Sequence, residues 1–312
     1  MNTNASFNIS EDLVKQLIKN QRSDRRWKNF RFLITLLLIV AIIFAFFDFS
    51  GIMSPSKEQD PYVALVRMDG MIMANQRFSA KNVVPELNQA FADKNAKGVV
   101  LLIDSGGGSP VQASIIYDKI LELKKEYKKK VVVVSADLLA SGAYMVAMGG
   151  DKVYATHDTI TGSIGVVMEG FGFTDAIKKL GIDRRIITAG KNKVQLDPFE
   201  PEKPENVAKA KKLLDQVHQH FIQIVMDSRG KRLKGDKKEI FSGDFWIGAT
   251  AVKLGVVDEV GNLSQALSKE FNVKHYVDYT TQPSLMEVLL HGMQTKLNFG
   301  LELSSPHLIS EV

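Results

Sequence analysis

The segment from residue 98 to residue 135 changes from a strand pattern to a helical pattern and back, and this order constrains the fold most. Gly98–Asp104 and Val131–Ser135 have the composition of β-strands, and the second begins with four consecutive valines, as strands buried on both faces do. Between them, apolar side chains recur at helical spacing, at Val111, Ile115, Ile116, Ile120 and Leu123. Because strands connected through a helix pair in parallel, the sequence predicts an α/β fold built on a parallel sheet.

Short strands and longer helices also alternate outside this segment. Three further strands are predicted, at Tyr62–Met68, Lys152–Ala155 and Arg185–Ile187. Glu205–Arg229 is a predicted long helix, and Leu285–Leu297 has an amphipathic helical pattern. A polar stretch with two prolines, Ser54–Pro61, has the composition of a linker, so the folded domain is expected to begin near Tyr62.

One segment near the N-terminus is far more apolar than the rest. Phe32–Phe47 contains no charge, and Thr35 is its only polar residue. A membrane-spanning helix needs about 20 apolar residues, and local thinning of the bilayer or extension through Phe49 and Ile52 would make up the difference for this run. Positive charges precede it, at Arg22, Arg25, Arg26, Lys28 and Arg31. The positive-inside rule therefore predicts a cytoplasmic N-terminus. A cleaved signal peptide is the alternative, but the long region before the run and the lack of a small-x-small cleavage site after it favour an uncleaved anchor.

The composition excludes several functional classes. Of the 312 residues, 45% are hydrophobic and 24% are charged, as in a globular protein. The net charge of +5 is scattered rather than gathered into an aromatic-flanked stripe, so no nucleic-acid partner is expected. The chain has no cysteine, which excludes disulfides and a cysteine nucleophile. His218 and His220 lie two residues apart on a predicted helix and do not share a face, so neither a metal nor a cofactor is expected.

Three glycine-containing breaks lie at the ends of predicted elements. The first, DSGGGSP at Asp104–Pro110, lacks the Lys followed by Ser or Thr of a phosphate-binding loop, and its bare N–H groups suit either an oxyanion hole or a tight turn. In the second, LLASGAY, Ser141 stands where a strand turns into a helix and is either an N-cap or a nucleophile. The third is TGSIGVV, Thr161–Val167.

In this order and separation, the three breaks resemble the signal peptide peptidase A family of membrane-anchored serine proteases. The resemblance covers Tyr62 to Val260 and includes SGGG, ASGAY, TGSIGV, TAGKNK and FSGDFWIGATAVKLGVVDEVG. It implies the Clp protease/crotonase-like fold of stacked β-β-α units, preceded by one N-terminal transmembrane helix, in the short single-repeat form. The implied organisation is a cytoplasmic segment (1–31), an anchor (32–52), a linker (53–61), a protease domain (62–275), and a C-terminal amphipathic helix and tail (276–312).

The resemblance also implies a catalytic set, position by position. Ser141 matches the family's nucleophile, and Lys193 in TAGKNK matches its general base. Ser163 in TGSIGV matches the residue that forms a hydrogen bond with that lysine. The implied chemistry is a Ser/Lys dyad.

The oxyanion hole implied by the resemblance consists of Gly107 and the N–H of Gly142. Two positions differ from the family pattern. Gly106 stands where the family usually has proline, and Ala143 where it usually has glycine. The first difference makes the loop more flexible and leaves open whether Gly107 or Gly108 turns its N–H inward.

A Ser/Lys dyad needs a particular environment. A serine hydroxyl is a poor nucleophile until a neighbouring base removes its proton. A lysine is protonated at neutral pH, and burial in an apolar site favours the neutral amine, which would then accept the Ser141 proton and later pass it to the leaving amine. A histidine-based triad is the competing chemistry. His157 is the only histidine near the motifs, and in YATHDTI we interpret it as a surface or supporting residue.

The resemblance further implies peptide substrates, namely signal peptides and other hydrophobic peptides remaining in the membrane after preprotein cleavage. It implies a homo-oligomeric ring in which the serine and lysine of one site come from neighbouring subunits. The expected location is the bacterial inner membrane, with the catalytic domain on the periplasmic side. Two alternatives stay open, a related envelope protease with other membrane-protein substrates and a catalytically silent membrane scaffold. A crotonase-type acyl-thioester enzyme would need the oxyanion glycines but not the serine and lysine.

Overall fold

The computed structural model describes residues 27–42 and 60–281, which belong to two separate units divided after Gln59. Residues 27–42 form helix α1, and all of them are exposed. Among the described residues, no helix combines the length and the apolar character that a membrane crossing requires. Residues 43–52 of the predicted anchor and the predicted helix at Leu285–Leu297 lie outside the described residues.

The second unit is built on a mixed sheet, in which eight strands are described. They are β1 (Tyr62–Asp69), β2 (Val99–Ser105), β3 (Val131–Ala140), β4 (Lys152–Ala155), β5 (Ile160–Gly162), β6 (Phe245–Ile247), β7 (Glu259–Val260) and β8 (His275–Asp278). Their order is β6-β5-β3-β2-β1-β8, and β4 pairs with both β3 and β7. Among these strands every pairing is parallel except that of β5 with β6.

Eight helices are described in this unit, and local signals explain where several begin. They are α2 (Ala80–Ala92), α3 (Pro110–Tyr127), α4 (Gly142–Ala147), α5 (Thr174–Lys179), α6 (Pro204–Arg229), α7 (Lys237–Ile240), α8 (Gly248–Leu254) and α9 (Leu263–Phe271). Helix α3 has proline as its first residue, and the Ser109 side chain accepts a hydrogen bond from Gln112 N (3.4 Å). Helix α9 begins with a capping box between Asn262 and Gln265.

Most of the elements predicted from the sequence are present. Strand β1 begins at Tyr62, and β2, α3 and β3 follow in the predicted strand, helix, strand order with parallel pairing. The strand predicted at Arg185–Ile187 is wrong. Arg185 and Ile187 are exposed and Ile186 is half-buried, and none of them pairs with a strand in the described part of the chain, because the segment that contains them lies outside the sheet. A short segment with β-branched side chains becomes a strand only where a neighbouring strand offers backbone partners.

Strand β3 is buried on both faces, as its run of valines predicts. Val131 and Val133 belong to the larger apolar core, which also contains the buried faces of α2, α3 and α4. Val132 and Val134 point to the opposite face and pack in a second cluster with Leu267 of α9. The alternation follows from the two-residue period of a strand. The sheet is therefore covered by helices on both sides, as parallel sheets require.

Strand β3 changes its pairing partner from β4 to β5 towards its carboxyl end. Val132–Val134 pair with β4, whereas Leu138–Ala140 pair with β5. On its other side, the register between β2 and β3 shifts between Ile103 and Ser105. Helix α4 begins directly after this end, at Gly142. The sheet thus opens where β3 ends, and crevices at the carboxyl ends of parallel strands are where α/β proteins bind ligands.

A cluster of charged side chains connects β4, β7 and α9. Lys152 Nζ lies 2.7 Å from Glu270 Oε1 and 3.0 Å from Glu259 Oε2. Lys130 Nζ lies 2.6 Å from the other Glu270 oxygen, and the Tyr154 hydroxyl donates to Glu270 as well. The Glu270 side chain is 8% exposed. Burial raises the pKa of Glu270, but the hydrogen bonds from Lys130, Lys152 and Tyr154 outweigh it and lower that pKa to about 2.

This cluster predicts a pH-dependent contribution to stability. The folded-state pKa of Glu270 lies below its ordinary value of 4.5. The ionised carboxylate therefore stabilises the fold fully above pH 4.5, and this contribution is lost as the pH falls towards the folded-state pKa. We expect Glu270→Gln to lower the Tm at pH 7, and the difference from the wild type to disappear between pH 4.5 and about 2. Glu259→Gln, at a more exposed carboxylate, is the control and should cause a smaller change. A Tm difference that did not vary with pH would contradict this assignment.

Candidate active site

Ser141 occupies the sharp turn from β3 into α4 in a strained backbone conformation. Its φ of +52° and ψ of −124° lie in a region that residues other than glycine rarely adopt. Its N–H donates to Gly162 O (2.9 Å), and its carbonyl accepts from Met145 N (3.0 Å). Ser141 occupies the N-cap position of α4, since its carbonyl accepts the first hydrogen bond of the helix, but its side chain forms no capping hydrogen bond with the described residues. Strain of this kind is found at functional sites, where the surrounding structure maintains it.

A cavity of about 280 Å³ opens in front of the Ser141 side chain. Its wall combines residues from the glycine-rich loop, the start of α4, the segment after β5, helix α6 and the loop before β6, namely Gly108, Pro110, Ser141, Gly142, Met145, Ser163, Gly165, Val166, Val167, Val217, Phe221, Ser242 and Gly243. The fold therefore brings three of the residues predicted from the sequence, Ser141, Gly142 and Ser163, to one cavity.

The glycine-rich loop presents one of its amides to this cavity. The carbonyl of Gly107 accepts from Ile72 N (2.8 Å), and its N–H donates to Ser105 Oγ (3.1 Å). Because a trans peptide directs its N–H opposite to its carbonyl, the N–H of Gly108 points away from Ile72. Neither Gly108 N–H nor Gly142 N–H has an acceptor among the described residues, and both glycines line the cavity. In this structure the inward amide of the loop is that of Gly108, while that of Gly107 is engaged by Ser105.

The loop packs directly against the Ser141 turn, which explains its glycines. A Cβ on Gly107 would lie 2.7 Å from Gly142 N and 2.8 Å from Ser141 Cβ, and its φ is +98°. A Cβ on Gly108, whose φ is +141°, would lie 2.3 Å from Ile72 O. Only glycine fits at these two positions, because a side chain would collide with backbone atoms that cannot move away.

Ser163 is held by a segment to which the sequence analysis assigned no role. Its N–H donates to Asp244 O (2.7 Å), and its φ is +51°. The two segments approach closely, since a Cβ on Gly165 would lie 3.0 Å from Gly243 Cα. Ser242 and Gly243 consequently reach the cavity wall. The signal in the sequence was the pair of glycines, one in TGSIG and one in FSGDFW, which allow two backbones to meet.

Helix α6 forms one side of the cavity. Val217 and Phe221 line the cavity, and Ile224 continues the same helical face into the core. The sequence showed this apolar spacing as one face of a helix. It did not show which part of the protein that face would cover. His218, considered above only as a metal ligand, places its Nε2 3.0 Å from Ile164 O beside the wall.

Lys193 is not brought to Ser141 within a single chain. It is exposed, its N–H donates to Gly190 O (3.1 Å), and it does not line the cavity. His157 is also exposed and away from the cavity, and its carbonyl accepts from Ala249 N (3.1 Å). Among the described residues, the cavity wall contains no lysine, histidine or carboxylate. The Ser/Lys pairing therefore stays a prediction.

Lys193 belongs to a long exposed stretch with an unusual number of apolar side chains. Residues 166–203 contain no strand and only the short helix α5, which has no buried residue. Large hydrophobic side chains in this stretch are exposed, at Val167, Phe171, Leu180, Ile182 and Ile187. Exposed apolar surface of this kind marks interaction sites in soluble domains.

Comparison with known proteins identifies the family. The sequence profile of peptidase family S49 matches residues 123–275, and that of Clp protease matches residues 56–161. A protein of Methanocaldococcus jannaschii, named as a candidate protease, is 33% identical over 256 residues, which cover 75% of this chain and 81% of that protein. The chain belongs to peptidase family S49, the SppA family of serine proteases.

Other relatives are considerably longer than this chain. Protease 4 of Haemophilus influenzae is 29% identical over 270 residues, which cover 78% of this chain and 42% of that protein. A Brucella abortus protein named Na(+)/H(+) antiporter NhaA is 43% identical over 217 residues, which cover 68% of this chain but only 29% of that protein. The chain thus spans less than half of either relative. The mixed α/β sheet of this S49 member is of the Clp protease kind.

Proposed function

We propose that this protein is an endopeptidase with a Ser/Lys dyad, in which Ser141 is the nucleophile, Lys193 is the general base and Ser163 orients the lysine. The proposal is carried by one observation. Ser141 is strained on the wall of a cavity, which Gly108 and Gly142 also line, and the amides of these two glycines have no acceptors among the described residues. Such a strand-to-helix turn exposes a nucleophile, and free amides beside it suit a developing oxyanion.

The proposed reaction follows from these groups. The neutral Lys193 amine takes the proton of Ser141 Oγ as that oxygen bonds to the carbonyl carbon of the peptide. The carbonyl oxygen becomes an oxyanion that the N–H groups of Gly108 and Gly142 stabilise. The lysine then gives its proton to the leaving amine as the C–N bond breaks, which leaves an ester on Ser141. Water, deprotonated by the same lysine, cleaves the ester and restores the hydroxyl.

The general base is proposed to come from a neighbouring copy of the chain. Lys193 lies on an exposed apolar stretch, whereas the cavity beside Ser141 has no base on its wall among the described residues. A second copy seated on this stretch would bury Phe171, Leu180 and Ile187, and would remove Lys193 from water. Burial favours the neutral amine that the reaction needs. Repeating this head-to-tail contact, with a rotation that closes, would form a homo-oligomeric ring.

Apolar peptides are the proposed substrates, including signal peptides left in the membrane. The side chains of Met145, Val166, Val217 and Phe221 give the cavity an apolar wall suited to an apolar side chain next to the cleaved bond. The anchor predicted at residues 32–52 would hold the domain on the periplasmic side of the inner membrane, where such segments have a high effective concentration. An envelope protease acting on other membrane proteins would use the same chemistry.

Mixing two inactive variants tests the dyad and its sharing between subunits. We expect Ser141→Ala and Lys193→Ala each to abolish hydrolysis of an apolar fluorogenic peptide. Dissociated, mixed in equal amounts and reassembled, they should recover about a quarter of the wild-type activity, because random assembly places an intact serine beside an intact lysine at that fraction of contacts. Lys191→Ala, at another exposed lysine of the same turn, is the control and should stay active alone.

Two results would contradict this proposal, each in a different part. An active Lys193→Ala variant would mean that another group is the base. An inactive mixture of variants that assemble as the wild type does would mean that serine and lysine belong to the same chain in each site.

A further inference from the structure

We infer that Ser105 is a positioning residue of the oxyanion hole, acting through the backbone of Gly107; the inference rests on the proposed function. Ser105 is the last residue of β2 and is 2% exposed. Its Oγ accepts the N–H of Gly107 at 3.1 Å, in a buried hydrogen bond. It does not reach the cavity, so its influence passes through the loop to the N–H of Gly108.

The loop requires an external constraint, because it has no side chains of its own. Gly106, Gly107 and Gly108 follow one another, and glycine has more backbone freedom than any other residue. Ile72 holds one side of the loop, since its N–H donates to Gly107 O and its carbonyl accepts from Ser109 N, both at 2.8 Å. These bonds restrain the carbonyl of Gly107 but not its amide.

The Ser105 hydroxyl supplies the restraint on the other side of Gly107. With Gly107 N–H bound to Ser105 and Gly107 O bound to Ile72, the peptide planes before and after Gly107 are both held. The direction of Gly108 N–H follows from the second plane. Without the hydroxyl, the buried Gly107 N–H would lose its acceptor, and the loop would rotate to satisfy it because an unpaired buried donor is costly.

The adjacent strand offers a matched control. Ser135 in β3 pairs with Ile103 of β2 and is 2% exposed, as Ser105 is. Its Oγ has no hydrogen-bond partner among the described residues. Replacing Ser135 with alanine therefore removes a buried hydroxyl of the same size from the same sheet without releasing a loop amide, and we expect unchanged kcat with an equal or higher Tm.

The test compares Ser105 variants of the full-length protein in hydrolysis of an apolar fluorogenic peptide. Ser105→Ala is expected to lower kcat about tenfold, the order of one lost hydrogen bond, with KM unchanged. A peptide boronic acid, whose adduct with Ser141 places an oxygen in the oxyanion hole, should inhibit it about tenfold more weakly, whereas an unreactive peptide of the same sequence should bind as before. Ser105→Thr should restore kcat. Ser105→Cys keeps the volume but is a weak acceptor, and should behave as alanine does.

The outcomes separate the positioning role of Ser105 from the proposed function. Wild-type kcat in both Ser105→Ala and Ser105→Cys, with Ser141→Ala inactive, would overturn the positioning role alone. Equal losses in Ser105→Ala and Ser135→Ala, in proportion to their Tm values, would also overturn it, by showing a general effect of the sheet. Full activity of Ser141→Ala would instead overturn the proposed function.

Discussion

Replacing Ser141 with alanine is expected to reduce kcat by on the order of a millionfold, because the attacking oxygen is lost. The fold should survive the change, since the Ser141 side chain forms no capping hydrogen bond with the described residues and its two backbone hydrogen bonds do not need it. The measurement is hydrolysis of an apolar fluorogenic peptide, together with the free energy of unfolding in urea.

A second substitution at the same position separates catalysis from strain. Glycine adopts the φ of +52° without the Cβ conflict that serine and alanine suffer. Ser141→Gly should therefore be as inactive as Ser141→Ala but more stable than the wild type, by about 1 kcal/mol. This result would show that the strained turn lowers the stability of the fold while it exposes the nucleophile. A glycine variant less stable than the alanine variant would show that no strain is stored at this turn.

The largest loss of stability is expected from removing the buried arginine of α6. The Arg229 side chain is 1% exposed, and its two terminal nitrogens lie 3.0 Å from the two oxygens of Asp258. Its Nε also donates to Gly255 O (2.5 Å). Burial raises the pKa of Asp258, but the Arg229 guanidinium outweighs it and holds that pKa below its usual range. The pair therefore stays charged inside the fold.

Arg229→Leu would leave the Asp258 carboxylate largely buried with its main partner gone. Such losses cost about 3–5 kcal/mol, and we expect about 3 kcal/mol, because Arg232 and the N–H of Val153 still contact Asp258. Arg232→Ala is the matched control, since Arg232 contacts the same carboxylate but its side chain is 38% exposed; it should cost less than about 1 kcal/mol. Urea unfolding measures both.

This ion pair also supports the nucleophile helix. Arg229 binds Gly255 and Asp258, and Val256 between them accepts a hydrogen bond from the hydroxyl of Tyr144 (2.7 Å). Tyr144 is fully buried and lies in α4, three residues after Ser141. We therefore expect Arg229→Leu to lower activity together with stability, whereas Arg232→Ala should change neither greatly. Equal unfolding free energies for the two variants would contradict the role assigned to burial.

The parts of the fold that were predictable from the sequence have local causes. The strand, helix, strand order between residues 98 and 140 follows from periodicities that each segment carries alone, and both faces of β3 are buried as its valines indicated. The strand predicted at Arg185–Ile187 failed because pairing depends on a partner, which the described sheet does not offer there. The placement of Ser141 at a strand-to-helix turn was likewise readable, because Gly142 after it signals the turn.

Other features of the site depend on segments that are distant in the sequence. Whether Gly107 or Gly108 turns its amide inward is decided by Ile72 and Ser105, and Ser163 is held by Asp244. Periodicity does not encode such contacts, because each requires two separately formed elements to meet.

By itself, then, the sequence determined the α/β order of the domain, the turn that presents Ser141 and the family to which the chain belongs. The tertiary structure alone decided which amides reach the cavity, that α6 forms part of its wall, and that Lys193 lies away from Ser141 within one chain. The physical reason is that local pattern fixes how a segment folds, whereas a site is formed by the packing of several segments against one another.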